Sequence, residues 1–249
     1  MSDDAPGVTE DRLHGGRVRL LQRAKGHRAG TDAVLLAASA PLSPGQTVCD
    51  VGAATGAVGL MAAARVPVRL VLVERDPDLA DLARRNLALN GRDGEAAVAD
   101  ILDPASRRAA GLRPGAADCV LTNPPYLEEG RARLSPDPGR AAAHALPAEG
   151  LAAWIRACGA MLKPGGHLVL VHRADRLAGC LAALEGRFGA LALRFVHPRA
   201  DEPAARLLVR AVKGSRAPLT VLPPLVLHEA DGRFTPLAEA LHRGEADLA

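Results

Sequence analysis

Thr47-Val48-Cys49-Asp50-Val51-Gly52-Ala53-Ala54-Thr55-Gly56 decides how this chain folds. A short apolar run closes on an acid and breaks into a turn of glycines and small residues. The run has the length of a buried strand, and the small residues let a ligand approach the backbone closely. A helical pattern follows through Ala64, and Val68–Val73 is β-branched and apolar, a second buried strand. Asp76 then caps a helix with Pro77 at its first position; Leu79, Leu82, Ala83 and Leu87 line one face, and Asn90-Gly91 ends it. Further strands are expected over Ala96–Ala99, Asp118–Leu121 and His167–Val171, and near 191–197 and 206–213. Helices are expected through Trp154 and Leu162 and over 174–186. Strands alternating with helices predict an α/β fold: a mostly parallel sheet whose right-handed crossovers put helices on both faces.

The remainder of the chain frames that core. With 249 residues it has room for one large domain with a short extension. A composition of 48% hydrophobic and 24% charged residues excludes wholesale disorder. No apolar run approaches the ~18 residues of a membrane helix, so no membrane partner is expected. The first residues are acidic and polar, unlike a secretory signal, which makes the cytoplasm the expected location. Cys49, Cys119, Cys158 and Cys180 form no C-x-x-C pair, so neither a zinc ribbon nor a thioredoxin-type site is supported. No bound metal is expected, and the chain is expected to act as a monomer. Residues 1–12 read as a disordered tail, 13–45 as a basic N-terminal segment, 46–213 as the central domain and 214–249 as its C-terminal extension. Residues 127–147, rich in Pro, Gly and Arg, read as a loop over the sheet's edge.

Two constellations carry chemistry. A dinucleotide fingerprint would read G-x-G-x-x-G after the first strand; here the second glycine position is Ala54, and Asp50 precedes the turn. A carboxylate there suits a cationic ligand better than a pyrophosphate. Glu74 closes the second strand about 20 residues after the turn, where an acid can accept the two hydroxyls of a ribose. The spacing D-x-G-x-x-x-G resembles motif I of the class I S-adenosylmethionine-dependent methyltransferases. That resemblance implies a Rossmann-like fold with a mostly parallel seven-stranded sheet, 46–213 as the methyltransferase domain and S-adenosyl-L-methionine as cofactor. It places Asp50, Gly52, Ala54, Gly56, Glu74 and Asp100 around the cofactor, with Asp100 toward the adenine amino group. Thr31 and Asp32, in the segment before motif I, fall where this superfamily often touches the methionine end, which makes 13–45 a lid over the cofactor. Asp32 is equally suited to capping the helix that begins there.

The second constellation is Asn123-Pro124-Pro125-Tyr126, following the strand Asp118–Leu121. Two successive prolines fix the backbone and remove two N–H donors, leaving a rigid turn that presents carbonyl acceptors. Tyr126, the sole tyrosine, stands beside it as a stacking platform. The tetrapeptide is similar to motif IV of methyltransferases acting on planar amino groups. There the asparagine oxygen and the following carbonyl accept the amine's two N–H groups, and the positive charge developing on nitrogen is stabilised. By this resemblance Asn123, Pro124, Pro125 and Tyr126 are the catalytic residues.

The flanks Gln22-Arg23-Ala24-Lys25-Gly26-His27-Arg28-Ala29-Gly30-Thr31-Asp32 and Leu225-Val226-Leu227-His228-Glu229-Ala230-Asp231-Gly232 resemble the bacterial tRNA(Val) adenine-N6 methyltransferase family. That family implies methylation of an anticodon-loop adenine, with tRNA as partner. Residues 11–30 carry six Lys and Arg against one acid, Asp11, while the whole chain carries only +3. Within that stretch Arg17, Arg19, Arg23, Lys25 and Arg28 are the expected RNA contacts. The alternatives are transfer to a protein glutamine amide or to an rRNA or DNA base, and a non-catalytic RNA-binding module.

Overall fold

The computed structural model describes residues 7–26, 28–125, 127–128, 145–146 and 150–249. From Val8 the chain is already ordered into a hairpin. Strand β1 (Val8–Leu13) pairs antiparallel with β2 (Val18–Arg23), Leu13 opposite Val18. Of the disordered tail expected over residues 1–12, residues 8–12 are instead held by ladder bonds to β2, and β2 is anchored to the core; residues 1–6 lie outside the described residues. Val18, Leu20 and Gln22 alternate inward along β2, the period-two pattern of a half-buried strand.

Helix α1 (Thr31–Ala38) follows, then β3 (Thr47–Val51), α2 (Ala57–Arg65), β4 (Arg69–Glu74), α3 (Pro77–Leu89), β5 (Gly94–Val98), α4 (Pro104–Ala109) and β6 (Ala117–Thr122). After β7 (Leu127–Glu128) and β8 (Ala145–Leu146), which pair with each other, come α5 (Gly150–Met161), β9 (Leu162–Arg173), α6 (Leu177–Leu184), β10 (Phe188–His197) and β11 (Arg206–Lys213). The chain closes with β12 (Thr220–Val221), β13 (Leu225–Val226) and α7 (Pro236–Arg243). Three helices start by one local device. Asp76, Asp103 and Thr235 each accept a backbone N–H of the first turn, and each precedes a proline whose missing N–H needs no partner there.

The main sheet has the order β12-β10-β11-β9-β6-β3-β4-β5, with β13 also on β10. The pairs β3–β4, β4–β5, β3–β6 and β6–β9 are parallel, while β11 runs antiparallel between β9 and β10. The sheet therefore has nine strands, not the seven expected. The two additional strands are two-residue pieces that both pair with β10. Pro223 and Pro224 lie between them and have no N–H to donate, so the returning chain pairs in two short touches instead of one strand. On one face the sheet packs against α1, α2 and α7 through Leu35, Leu36, Leu60, Met61 and Leu241; on the other it meets α5 and α6 through Trp154, Ile155, Cys158 and Leu184.

The first three strands of the parallel core wind outward, β3 to β5, and the chain then returns to place β6 on the opposite flank of β3. Strand order reverses there. A crevice opens beyond the carboxyl ends of β3 and β6, the position where open α/β sheets bind ligands.

The hairpin is docked by two asparagines one turn apart, Asn86 in α3 and Asn90 at its C-cap. The Asn86 side chain, fully buried, accepts from the Leu21 N–H at 2.7 Å and donates to the Leu21 and Thr55 carbonyls at 3.0 and 2.9 Å. Asn90 repeats the pattern on Arg19, accepting from its N–H at 2.9 Å and donating to its carbonyl at 2.7 Å. Residues i and i+4 of a helix thus serve residues i and i+2 of a strand edge, and the hairpin gains a partner that costs no further strand. Replacing Asn86 with Ala strands three buried backbone groups, so Asn86→Ala is expected to destabilise the protein by roughly 2–4 kcal/mol, and the more exposed Asn90→Ala by about 1 kcal/mol. Urea unfolding measures both. Equal, negligible losses would show that the hairpin is held by other contacts.

Candidate active site

The turn after β3 is built from backbone conformations that few residues adopt. Gly52 and Gly56 have φ of 74° and 84°, and Ala54 has φ of 47°. The Gly52 and Ala53 N–H groups donate to the Val73 carbonyl at 2.9 and 3.0 Å, which ties the turn to the end of β4. A Cβ at Gly56 would lie 2.7 Å from Leu72 Cδ1, so both conformation and space demand glycine there. Ala54 holds a left-handed conformation at a cost of about 1–2 kcal/mol that a glycine would not bear. Its N–H is fixed in return by Glu74 Oε2 at 2.8 Å.

Glu74 is the hub of this corner. Besides the Ala54 N–H, its other oxygen accepts from the Arg75 and Asp76 N–H groups at 2.8 and 2.9 Å. Three backbone donors hold the nearly buried carboxylate at the end of β4. A carboxylate has about four acceptor sites, so capacity for a further donor remains. Asp100 follows β5 and is exposed, with Oδ1 accepting from the Leu102 N–H at 2.8 Å. Ladder pairing of β4 with β5 and the Ala99 N–H bond to the Glu74 carbonyl set it on the same rim.

Asp50 points beneath the turn, where Oδ2 accepts the Gly59 N–H in the first turn of α2 at 2.9 Å. It is 2% exposed. Burial pushes its carboxyl up from the ordinary 3.8 to about 7, the Gly59 hydrogen bond opposes the shift, and the charge of Glu74 adds to it. A cationic group in this corner is what two adjacent acids, one of them desolvated, would favour. The donor set therefore fits a ligand carrying positive charge and a hydroxylated ring.

The opposite wall is the end of β6. Val51 and Thr122 are partners across the β3–β6 ladder, so Asn123 leaves the sheet beside Gly52. Pro124 is buried, while Asn123 and Pro125 are half-buried. Tyr126 and His27 lie outside the described residues. Beneath Asn123, the Thr122 hydroxyl donates to the Val51 carbonyl at 2.9 Å and accepts from Trp154 Nε1 at 2.8 Å. Trp154 is the chain's sole tryptophan. Sequence reading used it only to mark a helix, because its contacts join residues 32 and 102 positions away.

Other expected site residues are engaged elsewhere. Thr31 Oγ1 lies 3.3 Å from His242 Nε2, and Asp32 forms an ion pair with Arg206 at 3.0 Å. These contacts brace α1 against α7 and β11, and the cap position of α1 is Gly30, with no side-chain cap. Asp32 is therefore not the helix cap. Arg19 pairs with Glu10 at 2.9 Å, Arg23 with Asp76 and Asp78 at 3.3 and 3.1 Å, and Arg28 with Asp11. Arg17 donates to the Gly244 carbonyl at 2.9 Å. Lys25 is exposed. Part of the net charge counted over 11–30 is answered in space by Glu10, Asp76 and Asp78, which a window along the sequence omits. Gln22 is structural: it donates to Asp11 Oδ2 and accepts the Ala29 N–H at 2.6 and 2.8 Å. Among the described residues no three His, Cys, Asp or Glu side chains gather to hold a metal, and no helix is long and apolar enough to cross a membrane.

Comparison with known proteins bears on this geometry. The sequence profile of the methyltransferase small domain matches residues 28–195. The tRNA1(Val) (adenine(37)-N6)-methyltransferase of Aeromonas hydrophila is 30% identical over 213 residues, 84% of this chain and 85% of its own length. Its counterpart in Shewanella amazonensis is 36% identical over 118 residues, 47% of this chain and 48% of its own. A crystal structure described as a predicted O-methyltransferase of Agrobacterium tumefaciens superposes with a TM-score of 0.72 at 34% identity, covering 87% of this chain and 98% of that one. A 16S rRNA N2 methyltransferase of T. thermophilus, solved with AdoMet and guanosine, shares the fold with a TM-score of 0.57 at 21% identity over 83% of this chain and 50% of that one.

The buried carboxyl makes stability depend on pH in a defined direction. In the fold Asp50 keeps its proton up to a pH of about 7, whereas in the unfolded chain it ionises near 3.8. The ligand-free protein should therefore lose stability from this group as pH rises from about 4 to 7, by about 1.4 kcal/mol per pH unit. Asp50→Asn removes that slope. Urea midpoints of both proteins at pH 5, 6 and 7 should converge or cross as pH rises; parallel lines would place the Asp50 proton elsewhere.

Proposed function

The chain belongs to the methyltransferase small domain family and, within it, to the tRNA1(Val) (adenine(37)-N6)-methyltransferases, and we propose that it methylates N6 of an anticodon-loop adenine in a valine tRNA. The observation that carries the reading is the pairing of Val51 with Thr122, which sets the Asn123-Pro124 acceptors beside the Gly52 turn. S-adenosyl-L-methionine, when bound, supplies a methyl group made electrophilic by its sulfonium. In this reading Gly52, Ala54 and Gly56 give it a close backbone seat, and Asp50 answers its positive charge. Glu74 uses its remaining acceptor capacity on the ribose, and Asp100 meets the adenine amino group. Thr31 and Asp32 brace α1 behind that seat.

The acceptor amine is a poor nucleophile because its lone pair is delocalised into the purine. The Asn123 side-chain oxygen and the Pro124 carbonyl accept its two N–H groups, hold the nitrogen closer to tetrahedral geometry and stabilise the charge that grows on it. Pro124 and Pro125 bring no competing N–H and keep the turn rigid. Such an amine needs no strong base, and alignment supplies much of the rate. Tyr126 would stack on the adenine once it has left its own stack, a smaller cost in a loop than in a duplex. Lys25 and the paired arginines of the hairpin supply the phosphate contacts. In this reading the protein acts as a monomer and meets its tRNA substrate in the cytoplasm.

The test is methyl transfer from labelled S-adenosyl-L-methionine to unmodified bacterial tRNA, with nucleoside mass spectrometry of the product. The wild type should yield N6-methyladenosine. Asn123→Ala should lower kcat about 10²–10³-fold with the cofactor Kd within about threefold of wild type. Label absent from tRNA but present in protein or DNA would replace the proposed acceptor. Loss of cofactor binding in Asn123→Ala would remove the role given to that residue.

A further inference from the structure

Trp154 and Thr122 lie below the candidate site and touch both of its walls. Thr122 is fully buried and Trp154 is 9% exposed. The Thr122 hydroxyl donates to the Val51 carbonyl at 2.9 Å and accepts the indole N–H at 2.8 Å. It also meets the thiol of Cys158, one turn beyond Trp154 on α5. The indole ring reaches the other wall: a Cβ at Gly52 would stand 3.3 Å from Trp154 Cζ2. One side chain thus holds the strand that leads into Asn123 by its N–H and supports the Gly52 turn by its ring.

The placement matters because β3 and β6 part at this level. Val51 and Thr122 are the last ladder partners of that pair. The side-chain bridge reinforces this last rung, where the Gly52 turn and Asn123 leave the sheet. Filling the same volume with apolar groups would satisfy packing but leave the hydroxyl–carbonyl–indole direction unset. A displacement of about 1 Å between donor seat and acceptor seat is enough to lower a transfer rate by about 10²-fold.

We propose that Thr122 and Trp154 are positioning residues for methyl transfer: their hydrogen-bonded bridge sets the distance between the cofactor turn and the Asn123-Pro124 acceptors. The proposal rests on the methyltransferase reading above. Its test uses Thr122→Val, which keeps shape and removes the hydroxyl, Trp154→Phe, which keeps a ring and removes the N–H, and Thr122→Ser, which keeps the hydroxyl. Thr122→Val and Trp154→Phe should each lower kcat about 10–100-fold, with KM and Kd for S-adenosylmethionine within about threefold of wild type. The double variant should be no slower than the slower single one, since both cut the same bridge. Thr122→Ser should recover most of the rate. A kcat for Thr122→Val within twofold of wild type, or a Thr122→Ser as slow as Thr122→Val, would overturn the proposal.

A second readout does not depend on the acceptor. Trp154 gives the sole indole N–H resonance of the protein. It should be protected from exchange, shift when S-adenosylmethionine is added, and lose protection in Thr122→Val. An indole signal unmoved by saturating cofactor would overturn the bridge even if the acceptor proved not to be tRNA. Absence of transfer to tRNA by the wild type, with the indole shift intact, would instead count against the acceptor alone.

Discussion

The parting of β3 and β6 is the constraint on which the rest of the structure depends. Parallel strands share slanted ladder bonds, and where two neighbours diverge both expose unpaired backbone groups. This chain answers each in turn. The Gly52 and Ala53 N–H groups go sideways to β4, through the Val73 carbonyl, and the Val51 carbonyl receives the Thr122 hydroxyl. After Thr122 two prolines remove two donors that would otherwise need partners. The Gly52 turn is thus tied to β4, and the end of β6 to β3, by bonds on either side of the crevice.

The same economy explains the acids. Glu74 is nearly buried and Asp50 fully so, yet their solutions differ. Glu74 is surrounded by three backbone N–H donors that engage both of its oxygens. Asp50 has one, from Gly59, so burial dominates and its carboxyl rises to about 7. Two neighbouring carboxylates with unlike environments divide their work. One is held by three backbone donors; the other is shifted upward by burial with a single donor to oppose it.

What could be read in the sequence was local. The run 47–51, the Gly52–Gly56 turn, the Asp76-Pro77 cap and the Asn-Pro-Pro turn each declare themselves within a few residues, because their physics is that of adjacent backbone. What could not be read was lateral. Asn86 is one polar residue inside a helix; its value lies in the edge of a strand 65 residues earlier. Trp154 gains its meaning from Thr122 and Gly52, both on other elements. The two additional strands are illegible for a related reason: two-residue pieces split by Pro223-Pro224 have no periodicity to detect. Residues 8–12 have modest hydrophobicity of their own, and what orders them is their pairing with β2.

The basic hairpin shows where counting charges and seeing them differ. Arg19, Arg23 and Arg28 are not a comb of free cations, since Glu10, Asp76, Asp78 and Asp11 answer them. Such pairs do not bar the proposed RNA contacts, because ion pairs exposed to water are worth only about 0–1 kcal/mol. The Arg19–Glu10 pair, with both side chains more than a third exposed, can exchange its carboxylate for a phosphate at little cost. Arg23 and Arg28 are more enclosed, and Arg17 spends its guanidinium on the Gly244 carbonyl, where it ties the hairpin to the end of α7. The stretch that looked uniform in sequence is graded in space, from brace at Arg17 through half-shielded pairs to the open Lys25. A phosphate backbone would meet that gradient from its exposed end.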